Sequence, residues 1–206
     1  KTQAFHFEKD NTVVIKNGTL NVATDAEENM KMLIQNYCDL TLTDVKVNGE
    51  NLDQTSNSKY VFSNNCGTVV LNGKTSIIAP ANFKAFDVCK YYDYTAPKVT
   101  WASTGTVTGE IELTGGEFVV AKDLALTQPI KAKQAAAKLT VNANITPSTT
   151  NWTTTGTKDA LVVVNRGGNL TLSGTGTITN SNNTGVVCAV KMTEKDEAAS
   201  ASTDAD

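Results

Sequence analysis

The sequence carries little charge, and nearly all of its positive charge comes from lysine. Charged residues make up 19% of the 206 residues, the formal net charge is −3, and Arg166 is the one arginine. Proteins that bind nucleic acid neutralise phosphates with clustered lysine and arginine. Nucleic acid is therefore excluded as an expected partner. No apolar run approaches the length of a transmembrane helix either, so no membrane span is predicted.

Cysteine and histidine are too few and too scattered for a typical metal or redox site. The four cysteines, Cys38, Cys66, Cys89 and Cys188, include no Cys-x-x-Cys pair, which argues against zinc or dithiol chemistry. The one histidine, His6, falls on a probable first strand, where we interpret it as a solvent-facing side chain. No metal and no cofactor are therefore expected.

Short β-branched stretches, in contrast, recur along the chain. The segments FEKDNTVVIKNG, IQNYCDLTLTDV, FSNNCGTVVLNG and VNRGGNLTLSGT start at Phe7, Ile34, Phe62 and Val164, and they align without gaps. Each has an apolar residue, a polar corner, a strand-like stretch and a second corner that is often Asn-Gly or Ser-Gly. The first three start 27 and 28 residues apart, and a degenerate copy at Val88 keeps a step of 26.

A period of this length, with two or three short strands in each copy, predicts an all-β parallel solenoid. One copy cannot bury its apolar face alone, but stacked copies can. Each strand would pair in parallel with its equivalent in the next copy, about 4.8 Å away. The alternative is an antiparallel β-sandwich, which also has short strands and regular turns. Strands of a sandwich need not resemble one another in sequence, and these do.

Comparison of the copies makes specific stacking predictions. Three sets of residues are expected to stack, two of apolar residues and one of polar corner residues: Leu40 with Val69 and Leu170, Ile34 with Phe62 and Val164, and Asn36 with Asn64 and Arg166. The asparagines are expected to form a hydrogen-bonded ladder along the axis. Cys38 and Cys66 also share an aligned position, so their Cα atoms would lie about 5 Å apart. At that distance they are expected to form either a disulfide or two stacked thiols.

Three stretches depart from the strand pattern. Thr24 and Glu27 have the spacing of a helix capping box, and the segment that starts at Ile130 is rich in helix formers. We interpret both as loops that cross a turn of the solenoid, with a short helix as the alternative. The domain is predicted to cover residues 1–192. Residues 193–206 are an acidic tail, or a loop of a longer solenoid.

The repeat, with its NLTLSGTGTI type of strand, turn and strand, resembles the right-handed parallel β-helix family, of which pectate lyases, surface adhesins and phage fibres are members. Many proteins of this family act on polysaccharides, through a basic residue beside a carboxylate cluster or through paired carboxylates. Such groups would project side by side from consecutive copies.

No two carboxylates share an aligned position. The aspartates are matched by other residue types in the other copies: Asp39 by Thr12, Gly67 and Asn169, and Asp44 by Asn17, Gly73 and Gly174. Arg166 has no basic neighbour in the aligned copies. We therefore name no catalytic residue and expect that the protein is not an enzyme.

Aromatic residues provide the one candidate binding site. Tyr91, Tyr92, Tyr94 and Trp101 form the densest aromatic cluster, at the point where the repeat is most distorted. Loops of repeat proteins commonly carry binding sites. The cluster is either a partly exposed, coplanar patch for a glycan or a protein, or a set of rings that pack on the solenoid. Trp152 is a weaker second candidate.

These observations favour a non-catalytic structural or adhesive protein. The resemblance to adhesins and to phage spikes, fibres and capsid-decorating proteins implies a stiff stalk outside a bacterial cell or on a virus particle. Its expected partner is a glycan or a protein of a host or cell surface, and a homotrimer is the assembly that spikes and fibres commonly form. The alternatives are a polysaccharide-degrading enzyme and a glycan-binding module without catalysis.

Overall fold

The computed structural model describes residues 3–23, 30–55, 59–148, 160–165, 167–180 and 188–193. These residues form β-strands and no helix, so none of them belongs to a helix that could cross a membrane. The strands in chain order are β1 (Gln3–Phe7), β2 (Thr12–Asn21), β3 (Met32–Asn36), β4 (Asp39–Asn48), β5 (Tyr60–Asn64), β6 (Thr68–Gly73), β7 (Ser76–Ile78), β8 (Lys84–Val88), β9 (Lys98–Ser103), β10 (Val107–Thr108), β11 (Glu110–Leu113), β12 (Gly116–Val120), β13 (Leu124–Leu126), β14 (Ile130–Ala132), β15 (Ala137–Val141), β16 (Asn144–Pro147), β17 (Ala160–Asn165), β18 (Asn169–Leu172), β19 (Thr177–Ile178) and β20 (Cys188–Thr193).

The strands stack in parallel as a β-solenoid with three faces. Face A is an eight-stranded sheet in the order β1-β3-β5-β8-β11-β14-β17-β20. The other sheet bends within the long strands β2 and β4, because the first half of β4 pairs with β6 and the second half with β7. Face B comprises those first halves with β6, β9, β12, β15 and β18, and face C comprises the second halves with β7, β10, β13, β16 and β19. The predicted all-β solenoid is confirmed.

Apolar side chains from equivalent positions form continuous rows in the core. On face B one row runs through Val13, Leu40, Val69, Val99, Phe118, Leu139 and Leu170. The predicted stacking of Leu40, Val69 and Leu170 is therefore confirmed. Rows like this one allow every turn to bury its apolar face against two neighbouring turns, which a single copy could not do.

The predicted stacking on face A is only partly correct. Ile34 does pair with Phe62, but their row continues to Val162, and Val164 pairs with Ala132 two residues further along. The reason is that the corner between faces A and B varies in length. Ile34 lies six residues before Leu40, whereas Val162 lies eight residues before Leu170. An alignment without gaps cannot absorb that difference.

Asn36 and Asn64 are paired, as predicted, and both are fully buried, but their side chains do not form a ladder with each other. The Asn36 amide donates to the carbonyl of Cys38 (3.0 Å), and the Asn64 amide donates to the carbonyl of Asp87 (2.9 Å). Both side chains thus satisfy buried main-chain oxygens at the end of face A. The third predicted member, Arg166, lies outside the described residues.

Cys38 and Cys66 are free thiols, and both are buried. Cys38 belongs to the hydrophobic core, and its Sγ lies 3.2 Å from Oδ1 of Asn36. Of the two alternatives for this pair, the structure has the thiols. The helix-forming segment that starts at Ile130 consists of β14, a four-residue corner and β15, so both the predicted loop and the helical alternative are wrong there. The Thr24–Glu27 capping box and the acidic tail lie outside the described residues.

The corner between faces B and C uses the same backbone conformation in several turns. Asn17, Asp44, Gly73 and Gly174 all have a positive φ, between 55° and 63°. The comparison of the copies grouped these same four residues, although an alignment without gaps from Phe62 places Asn72, one residue before Gly73, opposite Asp44. Asparagine, aspartate and glycine tolerate the left-handed region best, which explains the residue types.

Replacing Gly73 by alanine should destabilise the protein more than replacing Gly174 by alanine. Both have the left-handed conformation, where a β-carbon costs roughly 1–2 kcal/mol. A β-carbon on Gly73 would also lie 2.5 Å from Oδ1 of Asp44, whereas no atom lies within 4 Å of the equivalent position at Gly174. Moving Asp44 would break its hydrogen bond with the amide of Lys74. Urea unfolding of the two variants measures the difference, and equal losses would contradict the clash.

Candidate functional site

The longest described connection between faces A and B, residues 89–97, folds back over the corners of earlier turns. The amide of Tyr91 donates to the carbonyl of Asn65 (3.1 Å), and the amide of Lys98, where β9 begins, donates to the carbonyl of Gly67 (3.0 Å). A hydrogen bond within the loop also shapes it, because the amide of Tyr94 donates to the carbonyl of Tyr91. The loop therefore places its tyrosines against the outside of the solenoid.

Four tyrosines meet there, three from the loop and one from an earlier turn. The ring centroid of Tyr37 lies 5.3 Å from that of Tyr91 and 6.1 Å from that of Tyr94. Tyr92 contacts Tyr91 at 4.5 Å. The interplanar angles are 67–87°, so the rings are packed edge to face and are not coplanar as expected. We call Tyr37, Tyr91, Tyr92 and Tyr94 the tyrosine cluster.

The cluster is partly exposed, and its buried member, Tyr37, is held in place. Tyr92 is 74% exposed, Tyr91 is 39% exposed and Tyr37 is buried. Gln35 donates to the hydroxyl of Tyr37 (3.0 Å). Burial, followed by the neighbouring hydroxyls of Tyr91 and Tyr94, raises the pKa of Tyr37 to about 12, so this hydroxyl stays protonated at physiological pH. The loop rings therefore present an exposed aromatic surface on a fixed base.

Trp101 does not belong to this surface, and the prediction that placed it there was wrong. It lies on β9 with 0% exposure, pairs with Leu71 and Val120, and packs in the core. Its position in the strand directs its side chain inward, an orientation that the density of aromatic residues in the sequence did not reveal. Trp152, the weaker candidate, lies outside the described residues.

His6 borders the cluster on face A. Its side chain is exposed, as predicted, and its ring lies 5.4 Å from that of Tyr37. One ring nitrogen, Nδ1, lies 2.8 Å from Nε2 of Gln3, and the other, Nε2, lies 3.1 Å from a carboxylate oxygen of Glu8. In the described part of the chain, no group of three or more His, Cys, Asp or Glu side chains is placed to hold a metal ion.

A groove of about 500 Å³ lies between the loop and the corners of the first three turns. Its lining includes Tyr37 and charged groups of both signs, Lys9, Asp10, Asp39 and Lys98. Lys9 pairs with Asp10 (2.9 Å), and its Nζ lies 5.6 Å from the centroid of Tyr94. The groove thus combines the ring of Tyr37, with Tyr94 beside it, with hydrogen-bond donors and acceptors.

A second polar cluster lies on the outer side of face A, and it corrects the expectation that no carboxylates stack. Asp87 on β8 pairs in register with Glu112 on β11. Oε2 of Glu112 lies 2.6 Å from Nζ of both Lys84 and Lys133, and Tyr60 donates to its other oxygen (2.8 Å). The alignment missed this pair because it falls in copies where the repeat is degenerate.

The two carboxyl groups have opposite electrostatic environments. Burial raises the pKa of Asp87 to about 7, although the amide of Asn64 donates to it (3.0 Å). Burial alone would raise the pKa of Glu112 as well, but the ammonium groups of Lys84 and Lys133 outweigh it and hold that pKa below its usual value. Asp87 is 6% and Glu112 is 4% exposed, so both residues are largely shielded from solvent.

Comparison with protein-family models, with curated protein sequences and with solved structures found no match to this chain. Its function is therefore argued from the geometry described above.

Replacing Asp87 by asparagine should stabilise the protein above pH 7 and have little effect below about pH 4. The folded protein keeps the Asp87 proton up to a pH of about 7, whereas the ordinary value for the group is 3.8. The carboxyl group's contribution to stability therefore falls as the pH rises between those two values. Asparagine keeps an oxygen for the amide of Asn64 and has no charge to desolvate. Thermal unfolding measures the change, at about 2–4 °C of Tm for each kcal/mol.

Asp123→Asn is the matched control for this experiment. The carboxylate of Asp123 also accepts from an amide of the next turn, that of Asn144 (2.9 Å), but Asp123 is exposed. This variant loses the same charge without relieving a buried one. A gain in Tm with the same pH dependence in both variants would contradict the role given to the burial of Asp87.

Proposed function

We propose that this protein is a non-catalytic structural or adhesive element, a stiff stalk displayed outside a bacterial cell or on a phage particle. The observation that carries the proposal is the continuous parallel pairing of face A from β1 to β20. Each inner turn is hydrogen-bonded to a turn on either side, so bending the stack requires strain on three faces at once. Eight strands at the usual spacing give a rod of about 34 Å.

The core supports the same conclusion, because it runs the length of the stack. Buried side chains of successive turns contact one another in a single cluster from Val22 to Val164. Phe86 and Phe118 bridge faces A and B in the middle of it, with their centroids 5.2 Å apart. An uninterrupted core couples each turn to its neighbours, which is the property that a stalk needs.

The adhesive part of the proposal is supported by the tyrosine cluster and the groove beside it. They lie on a loop that departs from the regular strands, and they expose aromatic rings on a rigid base. Exposed tyrosine is a common contact residue in binding surfaces, since it offers a large apolar ring with a polar tip.

Phe86→Ala should convert the rod from protease-resistant to protease-sensitive. Truncating a fully buried phenylalanine costs about 3–5 kcal/mol, and here it removes a contact between two faces of the solenoid. Val70→Ala is the control, because Val70 lies on the half-buried outer side of β6. Thermolysin digestion followed by mass spectrometry measures the outcome. Rapid cleavage within the strands of the unaltered protein would contradict a rigid rod.

The location can be tested directly on the producing bacterium or phage. Antibodies against the purified chain should label intact cells or particles, with no increase after permeabilisation. An antibody against a cytoplasmic protein of the same cells is the control for leakage. Labelling that requires permeabilisation would refute display on a surface.

One observation favours the enzymatic alternative, the stacked carboxylates Asp87 and Glu112. Two carboxyl groups whose pKa values are driven apart are the arrangement that acid–base hydrolysis of a glycosidic bond uses. Their burial and the two lysines on Glu112 oppose it. Release of reducing sugar from a panel of polysaccharides, abolished by Glu112→Gln, would replace the stalk proposal by an enzymatic one.

A further inference from the structure

We infer that the groove beside the tyrosine cluster binds a neutral oligosaccharide. The inference rests on the proposed adhesive function and names the ligand class of that site. Three features of the groove support it: aromatic rings held in fixed positions, polar groups that can form further hydrogen bonds, and a lining with equal numbers of positive and negative charges.

The aromatic wall is in place before any ligand arrives. Tyr37 lines the groove, and its ring is held by Gln35 and by edge-to-face contacts with Tyr91 and Tyr94. Tyr94 borders the groove, because its ring lies 5.6 Å from Nζ of the lining residue Lys9 and the next residue in the chain, Thr95, also lines the groove. A pyranose ring has an apolar C–H face that packs on such rings. Fixed rings reduce the entropy lost on binding.

The polar groups of the groove suit hydroxyl groups, which both donate and accept. Oδ1 of Asp39 accepts from the amide of Thr68 (2.7 Å), and a carboxylate has further lone pairs available. Lys98 pairs with Glu117 (3.0 Å), and its ammonium group has three protons to donate. Asp39 and Lys98 therefore offer an acceptor and a donor among the residues that line one groove.

The charge of the lining decides against a charged ligand. It contains two lysines and two aspartates, and Lys9 and Asp10 neutralise each other at 2.9 Å. A groove without net charge does not attract a polyanion such as nucleic acid or a sulfated glycan, nor a polycation. The volume of about 500 Å³ is within the range of small-molecule sites and holds a short oligosaccharide.

The test is a titration of the full chain with maltose, cellobiose, lactose and mannobiose, observed by ¹H–¹⁵N NMR. At least one of them should shift the amides that line the groove, with a Kd on the order of 1 mM. Tyr94→Ala should weaken that binding roughly tenfold, the equivalent of one lost ring contact. Asp39→Asn should weaken the binding as well. Asparagine keeps a side-chain oxygen that accepts from the amide of Thr68, so the fold of this variant is preserved.

Asp44→Asn is the matched control. The carboxylate of Asp44 accepts from the amide of Lys74 (2.9 Å) in the same way, but Asp44 does not line the groove, so binding should be unchanged. The inference is overturned if none of the four sugars shifts the spectrum at tens of millimolar, if the shifts lie elsewhere, or if sialyllactose binds more tightly than every neutral sugar. Any of these results, with surface labelling intact, refutes the saccharide alone. Failed labelling refutes display independently of the titration.

Discussion

Hydrogen bonds between equivalent parallel strands are the interaction on which the rest of the structure depends. They fix the distance between turns, and so they bring the same position of each copy into contact with its counterparts above and below. The apolar row from Val13 to Leu170 follows from that spacing. So does the stacking of unlike residues, such as Asp87 on Glu112, which no local feature of either strand specifies. The same register brings the corners that line the proposed binding groove beside one another.

The solenoid could be predicted from sequence because one of its corners has nearly constant length. From face B to face C, the paired core residues Leu40 and Val47 are seven residues apart, and Val69 and Ile77 are eight apart. Strand, turn and strand therefore recur visibly. From face A to face B the separation ranges from six residues, Ile34 to Leu40, to thirteen, Phe86 to Val99. Equivalences across that corner could not be read without the hydrogen-bonding pattern.

The candidate sites show the same division. Three tyrosines of the predicted patch do lie together, because they are neighbours on one loop, whereas Tyr37 joins them from a turn two strands earlier on face A. Trp101 was misplaced because the alternation of β9 directs it inward, and where β9 begins depends on the length of the preceding loop. The carboxylate cluster on face A was missed for a related reason. Its members come from turns with different corner lengths, so no fixed period aligns Asp87 with Glu112.

The variable length of the corner between faces A and B has a consequence for how such a protein evolves. Insertions there leave the strands on either side in register, as the excursion of residues 89–97 demonstrates. New recognition loops can thus be acquired, exchanged or grafted at this edge without redesigning the scaffold. The edge between faces B and C offers no comparable freedom, since its left-handed residues tie the backbone to one tight conformation. Diversity among proteins built on this plan should accumulate along a single side of the rod.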